Sequence, residues 1–190
     1  MDILTRREAV QQAIKWTQML PVYLDTETTG LGSNAEIIEI AILDSDGMLL
    51  FQSLVRPKGR IDPDAMRVHG ITQAEVANAP EWVEIWPQVE STLLNRKVGI
   101  YNSEFDLRML KQTHQRAWLN WTLPDSAFFC IMKLYARFYG EWDRQRNGYR
   151  WHSLENAGRQ SGILLPNSHR AQDDALLARE LLHYMAGWQG

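Results

Sequence analysis

A single cysteine, Cys130, stands among 190 residues, so no disulfide can form within the chain and a reducing compartment suits it. Its neighbours Phe128, Phe129 and Ile131 predict a buried thiol. Long apolar runs are missing too. The opening Met1-Asp2-Ile3-Leu4-Thr5-Arg6-Arg7-Glu8 is too charged for a signal sequence, and nothing approaches the roughly twenty apolar residues of a membrane helix. A cytoplasmic protein with no membrane partner is therefore expected. Repeats and low-complexity tracts are absent, which leaves one continuous unit. The basic excess typical of a nucleic-acid binder is lacking as well, since the net charge is −3.

That balance hides an uneven distribution. Between Met132 and Arg170 stand Lys133, Arg137, Arg144, Arg146, Arg150, Arg159 and Arg170 against Glu141, Asp143 and Glu155, so this stretch is basic and the remainder strongly acidic. Tyr135, Phe138, Tyr139, Tyr149 and Trp151 are interleaved with the bases. Phosphate contact and base stacking could thus share one surface, the alternative being an ordinary solvated face. Of the chain's eight Trp, Trp142 and Trp151 lie in this stretch; packing is the expected role, stacking on a base the alternative.

With 45% hydrophobic residues, a chain of this length fills one core. A Thr5-x-x-Glu8 capping pattern predicts a helix through Ala9, Ala13, Trp16 and Leu20, ahead of a domain spanning residues 21–187. Packing onto the domain and a partner surface are both open for this helix. Val22-Tyr23-Leu24 reads as a strand, Ile37 to Leu43 as a second, Asp46-Gly47 as a hairpin turn and Met48 to Val55 as a third. Residues 56–80 are loop-rich, with a short helix from Asp62-Pro63. A helix is predicted from Glu81 to Leu94, with Pro87 as a kink or break. Lys97 to Tyr101 and Ala127 to Cys130 supply two more strands, each followed by a helix. Residues 140–148 form an excursion before a helix from Ser153 to Gln160. A meander followed by alternating strands and helices implies an α/β fold, a mixed five-stranded sheet flanked by helices.

Three segments carry chemistry. In Leu24-Asp25-Thr26-Glu27-Thr28-Thr29-Gly30 two carboxylates end an apolar run. Residues i and i+2 of a strand share a face, so Asp25 and Glu27 project side by side. Such acids repel unless a cation lies between them, and hard oxygen donors suit Mg²⁺ or Mn²⁺. The alternative is a solvated pair at a strand end. In Tyr101-Asn102-Ser103-Glu104-Phe105-Asp106, Asp106 falls in the first turn of an amphipathic helix, as a ligand or as the acid of a Ser103-x-x-Asp106 capping box. His169-Arg170-Ala171-Gln172-Asp173-Asp174 opens the last helix, putting an imidazole and a carboxylate about one and a half turns apart. Asp174 shares the capping alternative. Asp173 points about 100° away from it, so only one of the two can face a metal.

In the order acid-x-acid, Asn-x-x-Phe-Asp and His-x-Ala-x-x-Asp, these segments resemble the three motifs of the DEDDh 3′–5′ exonucleases, the proofreading-subunit-like family of the RNase T superfamily. The resemblance covers Pro21 to Gly187. His169, five residues before Asp174, matches the His subtype; the sister subtype carries Tyr where Arg170 stands. Tyr101 is a departure, because many relatives have His there. The resemblance implies an RNase H-like fold and two divalent ions, Mg²⁺ or Mn²⁺, held by Asp25, Glu27, Asp106 and Asp174 for an in-line displacement. It implies that His169, an imidazole of ordinary pKa about 6.5, accepts the attacking water's proton. It also implies that Thr28, Thr29 and Leu31 line the pocket of the terminal nucleotide and that Asn102 and Phe105 support or contact substrate. Val68-His69-Gly70-Ile71-Thr72 resembles a family turn near the terminal bases; for His69 and Ile71 the alternative is a structural turn with a buried Ile.

The implied activity is release of nucleoside 5′-monophosphates from the 3′ end of DNA, with a single strand as the expected form. A 3′–5′ exoribonuclease would use the same site and differ in its tolerance of the 2′-hydroxyl. A non-catalytic nucleic-acid-binding module is the third reading, whose signature would be loss of a ligand; all four acids and His169 are present. No polymerase, helicase or second nuclease segment is visible, so a free-standing enzyme and a subunit of a polymerase or repair complex both fit.

Overall fold

The computed structural model describes residues 3–145, 147–165 and 168–189. Helix α1 (Ile3–Gln18) leads into β1 (Val22–Thr28), which pairs antiparallel with β2 (Ile37–Leu43), itself antiparallel to β3 (Leu49–Leu54). Two short helices, α2 (Pro63–His69) and α3 (Gln73–Val76), precede α4 (Trp82–Leu93). Strand β4 (Val98–Ile100) then joins β1 in parallel. After α5 (Ser103–Arg116), β5 (Phe128–Cys130) joins β4 in parallel. Helix α6 (Ile131–Tyr139), a small hairpin of β6 (Trp142–Asp143) and β7 (Gly148–Tyr149), α7 (Leu154–Gln160) and α8 (Ala171–Ala186) complete the chain. The sheet order is β3-β2-β1-β4-β5, the mixed five-stranded sheet expected from the sequence.

Alternation along β1 sorts the two faces of the sheet. Tyr23 joins a layer with Ala9 and Ala13 of α1, Tyr135 of α6 and Leu181 and Leu182 of α8. Val22 and Leu24 join the opposite layer, with Val89 of α4 and Met109 and Leu110 of α5. The same parity continues past the apolar residues: Asp25 and Glu27 share the face of Tyr23, under α8, whereas Thr26 shares that of Leu24, toward α5. The irregular pairing of β1 with β2 falls between Glu27 and Thr28, where a bulge re-aims the chain at the end of the strand.

Several local expectations are corrected. Helix α1 begins at Ile3, so Thr5 lies inside it rather than at a cap, and its hydroxyl meets that of Tyr149 at 3.2 Å. The helix packs onto the domain, with Ala9, Val10 and Ala13 in the core. Helix α4 runs unbroken through Pro87, because Pro87 and Val83, whose carbonyl loses its helical partner, are both exposed to solvent. Helix α8 starts at Ala171, which leaves His169 outside it. Cys130 is only half-buried.

Trp142 and Trp151 are 52% and 48% exposed rather than packed inside. Trp142 meets Tyr149 edge-on, and the Lys133 ammonium lies 5.9 Å from the Trp151 ring centre. The basic stretch is largely committed to partners within the fold: Lys133 to Glu104, Arg137 to Glu8, Arg150 to Glu141, Arg159 to Asn156 and Arg170 to Glu39. Arg146 lies outside the described residues. Among the described residues, no helix is long and apolar enough to cross a membrane.

Candidate active site

Strand β1 delivers two carboxylates to the end of the sheet, and the first turns of α8 and α5 bring two more. One oxygen each from Asp25, Glu27 and Asp174 lies within 4.8 Å of the others. Asp174, the fourth residue of α8, is buried, whereas Asp173 turns outward and accepts the Ser168 hydroxyl at 2.5 Å. The 100° step between adjacent helical residues thus resolves in favour of Asp174. Asp106, fourth in α5, is buried beside this group, and its Oδ1 accepts the Thr26 hydroxyl at 2.8 Å. The capping-box alternative for Asp106 fails, because Asn102 is the N-cap and Ser103 already lies inside the helix.

His169 stands two residues ahead of α8, half-exposed, with Nδ1 3.9 Å from Asp174 Oδ2. Its backbone is left-handed, φ 51°, as is that of Asn102, φ 67°. Asn and His enter this region more readily than most residues, and Leu20, Asn95, Trp118 and Asn147 share it elsewhere in the fold. His169 and Asn102 flank segments that carry carboxylates of the cluster.

The acids resist ionisation in each other's company. Burial pushes the Asp25 carboxyl well above the usual range, and the charges of Asp106, Glu27, Asp174 and Glu39 push it further. Glu27 is raised to about 9, by burial first and then by Asp174, Glu39 and Asp106, with Arg170 opposing. Burial lifts Asp106 to about 7 against the hydrogen bond from Thr26. Carboxylates crowded out of water in this way are relieved by a divalent cation, and an all-oxygen donor set fits Mg²⁺ or Mn²⁺.

Beside Glu27 opens a cavity of about 450 Å³, whose lining includes Thr28, Gly30, Leu31, Asp62, His69 and Phe105. Leu31 is 77% exposed at its rim. The Arg108 guanidinium lies 5.3 Å above the Phe105 ring and reaches the Leu31 carbonyl at 3.4 Å. His69 ends α2, and its Nδ1 accepts the Ile71 N–H at 3.0 Å across Gly70, whose φ of 74° closes the helix. The remaining sequence candidates stand back from the cavity lining. Ile71 is buried with Ile38, Ile61 and Val76; Thr29 accepts the Glu36 N–H at 3.0 Å; Asn102 caps α5.

Sequence reasoning missed Thr26, Arg108 and Glu39. Glu39 had a signal: it is the one acid inside the apolar strand Ile37–Leu43, where a buried charge demands a partner. Thr26 had none, because its partner is 80 residues away.

A mixed sheet with helices on both faces, ending in converging, partly to fully buried carboxylates with an imidazole beside them, defines an RNase H-like nuclease. A family model described as exonuclease, of the RNase T type, matches residues 22–182, and the chain belongs to this family as an exonuclease of the DEDDh, proofreading-subunit-like kind. It is 35% identical over 192 residues to the uncharacterized exonuclease CP81 of Escherichia phage 186, covering 96% of each chain. It is 30% identical over 166 residues to DNA polymerase III subunit epsilon of Treponema pallidum (strain Nichols), covering 85% of this chain and 74% of that protein. Among solved structures, Exonuclease X in complex with 5′ overhanging duplex DNA matches with a TM-score of 0.64 at 27% identity, over 90% of this chain and 95% of that one. The nuclease domain of 3′hExo, a DEDDh family member bound to rAMP, shares the fold with a TM-score of 0.66 at 21% identity, over 84% and 88%.

Proposed function

We propose that this exonuclease works from the 3′ end, releasing nucleoside 5′-monophosphates from single-stranded DNA. The observation that carries the reading is the convergence of Asp25, Glu27 and Asp174 oxygens within 4.8 Å, with His169 at the entry to the same helix as Asp174. Asp25, Glu27, Asp106 and Asp174 would hold two divalent cations, Mg²⁺ or Mn²⁺, which would supply activation of the attacking water and neutralisation of charge on the phosphate and the leaving 3′ oxygen. The Thr26 hydroxyl orients Asp106 from beneath, the outer support on which such ligands depend. His169, half-exposed at the mouth with Nδ1 3.9 Å from Asp174 Oδ2, takes the water's proton.

The cavity beside Glu27 receives the terminal nucleotide. Its volume, about 450 Å³, suits a single nucleotide, and Phe105 and Leu31 offer apolar surface to the base while Thr28 and His69 offer polar groups. Thr29, Ile71 and Asn102 support that wall from behind. The choice of DNA follows the relatives that carry it in their names, the epsilon subunit and Exonuclease X with duplex DNA. The epsilon relative also makes a polymerase or repair complex the natural protein partner. The catalytic domain is assigned to residues 21–187, with α1 as a buttress, and the cytoplasm is its assigned location.

The test is a time course on 3′-blocked and unblocked single-stranded DNA, duplex DNA and RNA of one sequence, with Mg²⁺, Mn²⁺ or EDTA and an Asp25→Ala control. A metal-dependent ladder from the free 3′ end, fastest on single-stranded DNA and absent in the control, is expected. Faster loss of RNA would transfer the assignment to an exoribonuclease, and binding without cleavage under every metal would refute catalysis.

A further inference from the structure

Glu39 is 1% exposed in the middle of an apolar strand, a setting in which an uncompensated charge is costly. Three of its donors come from the entry to α8. Arg170 donates from Nη2 to Oε1 at 2.7 Å and from Nε to Oε2 at 3.1 Å, and the Ala171 backbone N–H donates to Oε2 at 3.0 Å. The guanidinium grips both oxygens at once, which fixes direction as well as distance. Gln52 of β3 also reaches Oε1, at 3.4 Å.

Glu39 lies opposite Glu27 in the β1–β2 ladder, on the face that α8 covers. On the helix side, the gripped residues sit between the two functional groups that α8 contributes. His169 directly precedes Arg170, and the Asp174 N–H donates to the Arg170 carbonyl at 3.0 Å. The large apolar anchors of α8, Leu177, Leu181 and Leu182, begin three residues beyond Asp174, with only the small apolar side chains of Ala171 and Ala175 buried ahead of them. They hold the helix axis but leave its first turn and the left-handed His169 to other restraints, and helix ends fray without them.

We propose that Glu39 and Arg170 form a positioning latch that pins the start of α8 to strand β2 at the level of Glu27 and so sets where His169 and Asp174 stand relative to Asp25 and Glu27. Neither residue touches the scissile phosphate. The latch rests on the exonuclease reading for its catalytic consequence but not for its geometric one, so two readouts are needed.

Arg170→Gln, Arg170→Lys and the apolar double variant Glu39→Leu/Arg170→Met are compared with wild type. Metal-free thermal midpoints report folding, calorimetric Mn²⁺ titration of the protein alone reports the assembled cluster, and kcat and KM on single-stranded DNA report catalysis. Replacing both members avoids leaving the Glu39 carboxylate buried without its guanidinium, the costly outcome of a single substitution, and the metal-free midpoint checks that the double variant folds, so it separates folding from positioning. Arg170→Gln and the double variant should each weaken Mn²⁺ binding and lower kcat by about tenfold or more, the range of lost outer support, with KM within about twofold. Arg170→Lys should restore part of both, since it keeps the charge but not the fork. Unchanged Mn²⁺ affinity and kcat in a folded double variant would overturn the latch. A raised KM at constant kcat would overturn it in favour of a substrate contact. If wild type hydrolyses nothing, the exonuclease reading falls, while the Mn²⁺ titrations still decide the geometric claim.

Discussion

At the scale of single residues, the site is a set of carboxylates placed where carboxylates are unhappy. Asp174 shows the trade between stability and function most directly. Asp174→Asn removes one of the charges that raise Asp25 and Glu27, so its thermal midpoint in EDTA should rise above that of wild type. Its activity should fall by more than the 10–100-fold typical of losing an outer partner, because a direct ligand is gone. Differential scanning fluorimetry and initial rates check the two halves independently. The pH dependence has a definite sign. In the metal-free protein Glu27 titrates near 9 instead of 4.5 and Asp106 near 7 instead of 3.8, so the folded state holds more protons than the unfolded one within those windows. Stability therefore declines as pH rises through them. Midpoints in EDTA should drop between pH 5 and pH 8, and saturating Mg²⁺ or Mn²⁺ should raise the midpoint more at pH 8 than at pH 5. A flat EDTA profile would show that the acids are not in mutual strain.

At the scale of elements, the site is positioned by how closely the strands approach their neighbours. Gly99, in the centre of β4 between β1 and β5, is the tightest case: a Cβ there would stand 2.8 Å from Phe129 Cζ and 3.2 Å from Tyr23 Cδ1. Both rings belong to the layer beneath α1 and α8 and cannot both retreat. Gly99→Ala should cost about 1–3 kcal/mol, the usual penalty for overpacking, read as a lower denaturant midpoint at constant m-value. The reach of the three motifs was legible at this level, because acid-x-acid at a strand end and an acid in a first helical turn follow from local periodicity. The starts of helices were less so. His169 falls outside α8 because the Glu39 carboxylate takes the Ala171 N–H, a long-range bond that no local pattern records.

At the scale of the whole molecule, α1 belongs to the fold although the family match starts after it, at residue 22. Trp16 stacks on Phe129 of β5 at 4.3 Å, Ala9 and Ala13 are fully buried, and Arg6 donates to the Phe138 carbonyl at 2.7 Å. Deleting residues 1–20 should therefore cost more than about 3 kcal/mol, the burial of two apolar side chains or so, and chemical denaturation of the truncated chain would measure it. Unchanged stability would instead make α1 a surface held for a partner.

The sequence by itself determined the chemistry available and its order along the chain: five strands, carboxylates at the end of β1 and the start of α5 and α8, and an imidazole five residues before the last acid. Those features are local, written in periods of two and 3.6 and in residue type. Only the tertiary structure decided which of Asp173 and Asp174 faces inward, that Thr26 serves Asp106 from the opposite face of the sheet, and that Trp142 and Trp151 stay half-exposed. It alone decided that Glu39 answers Arg170 across 131 positions. Each of these depends on which distant surface a side chain meets once the layers close, and the packing of α8 and α5 against the two faces of one sheet sets that.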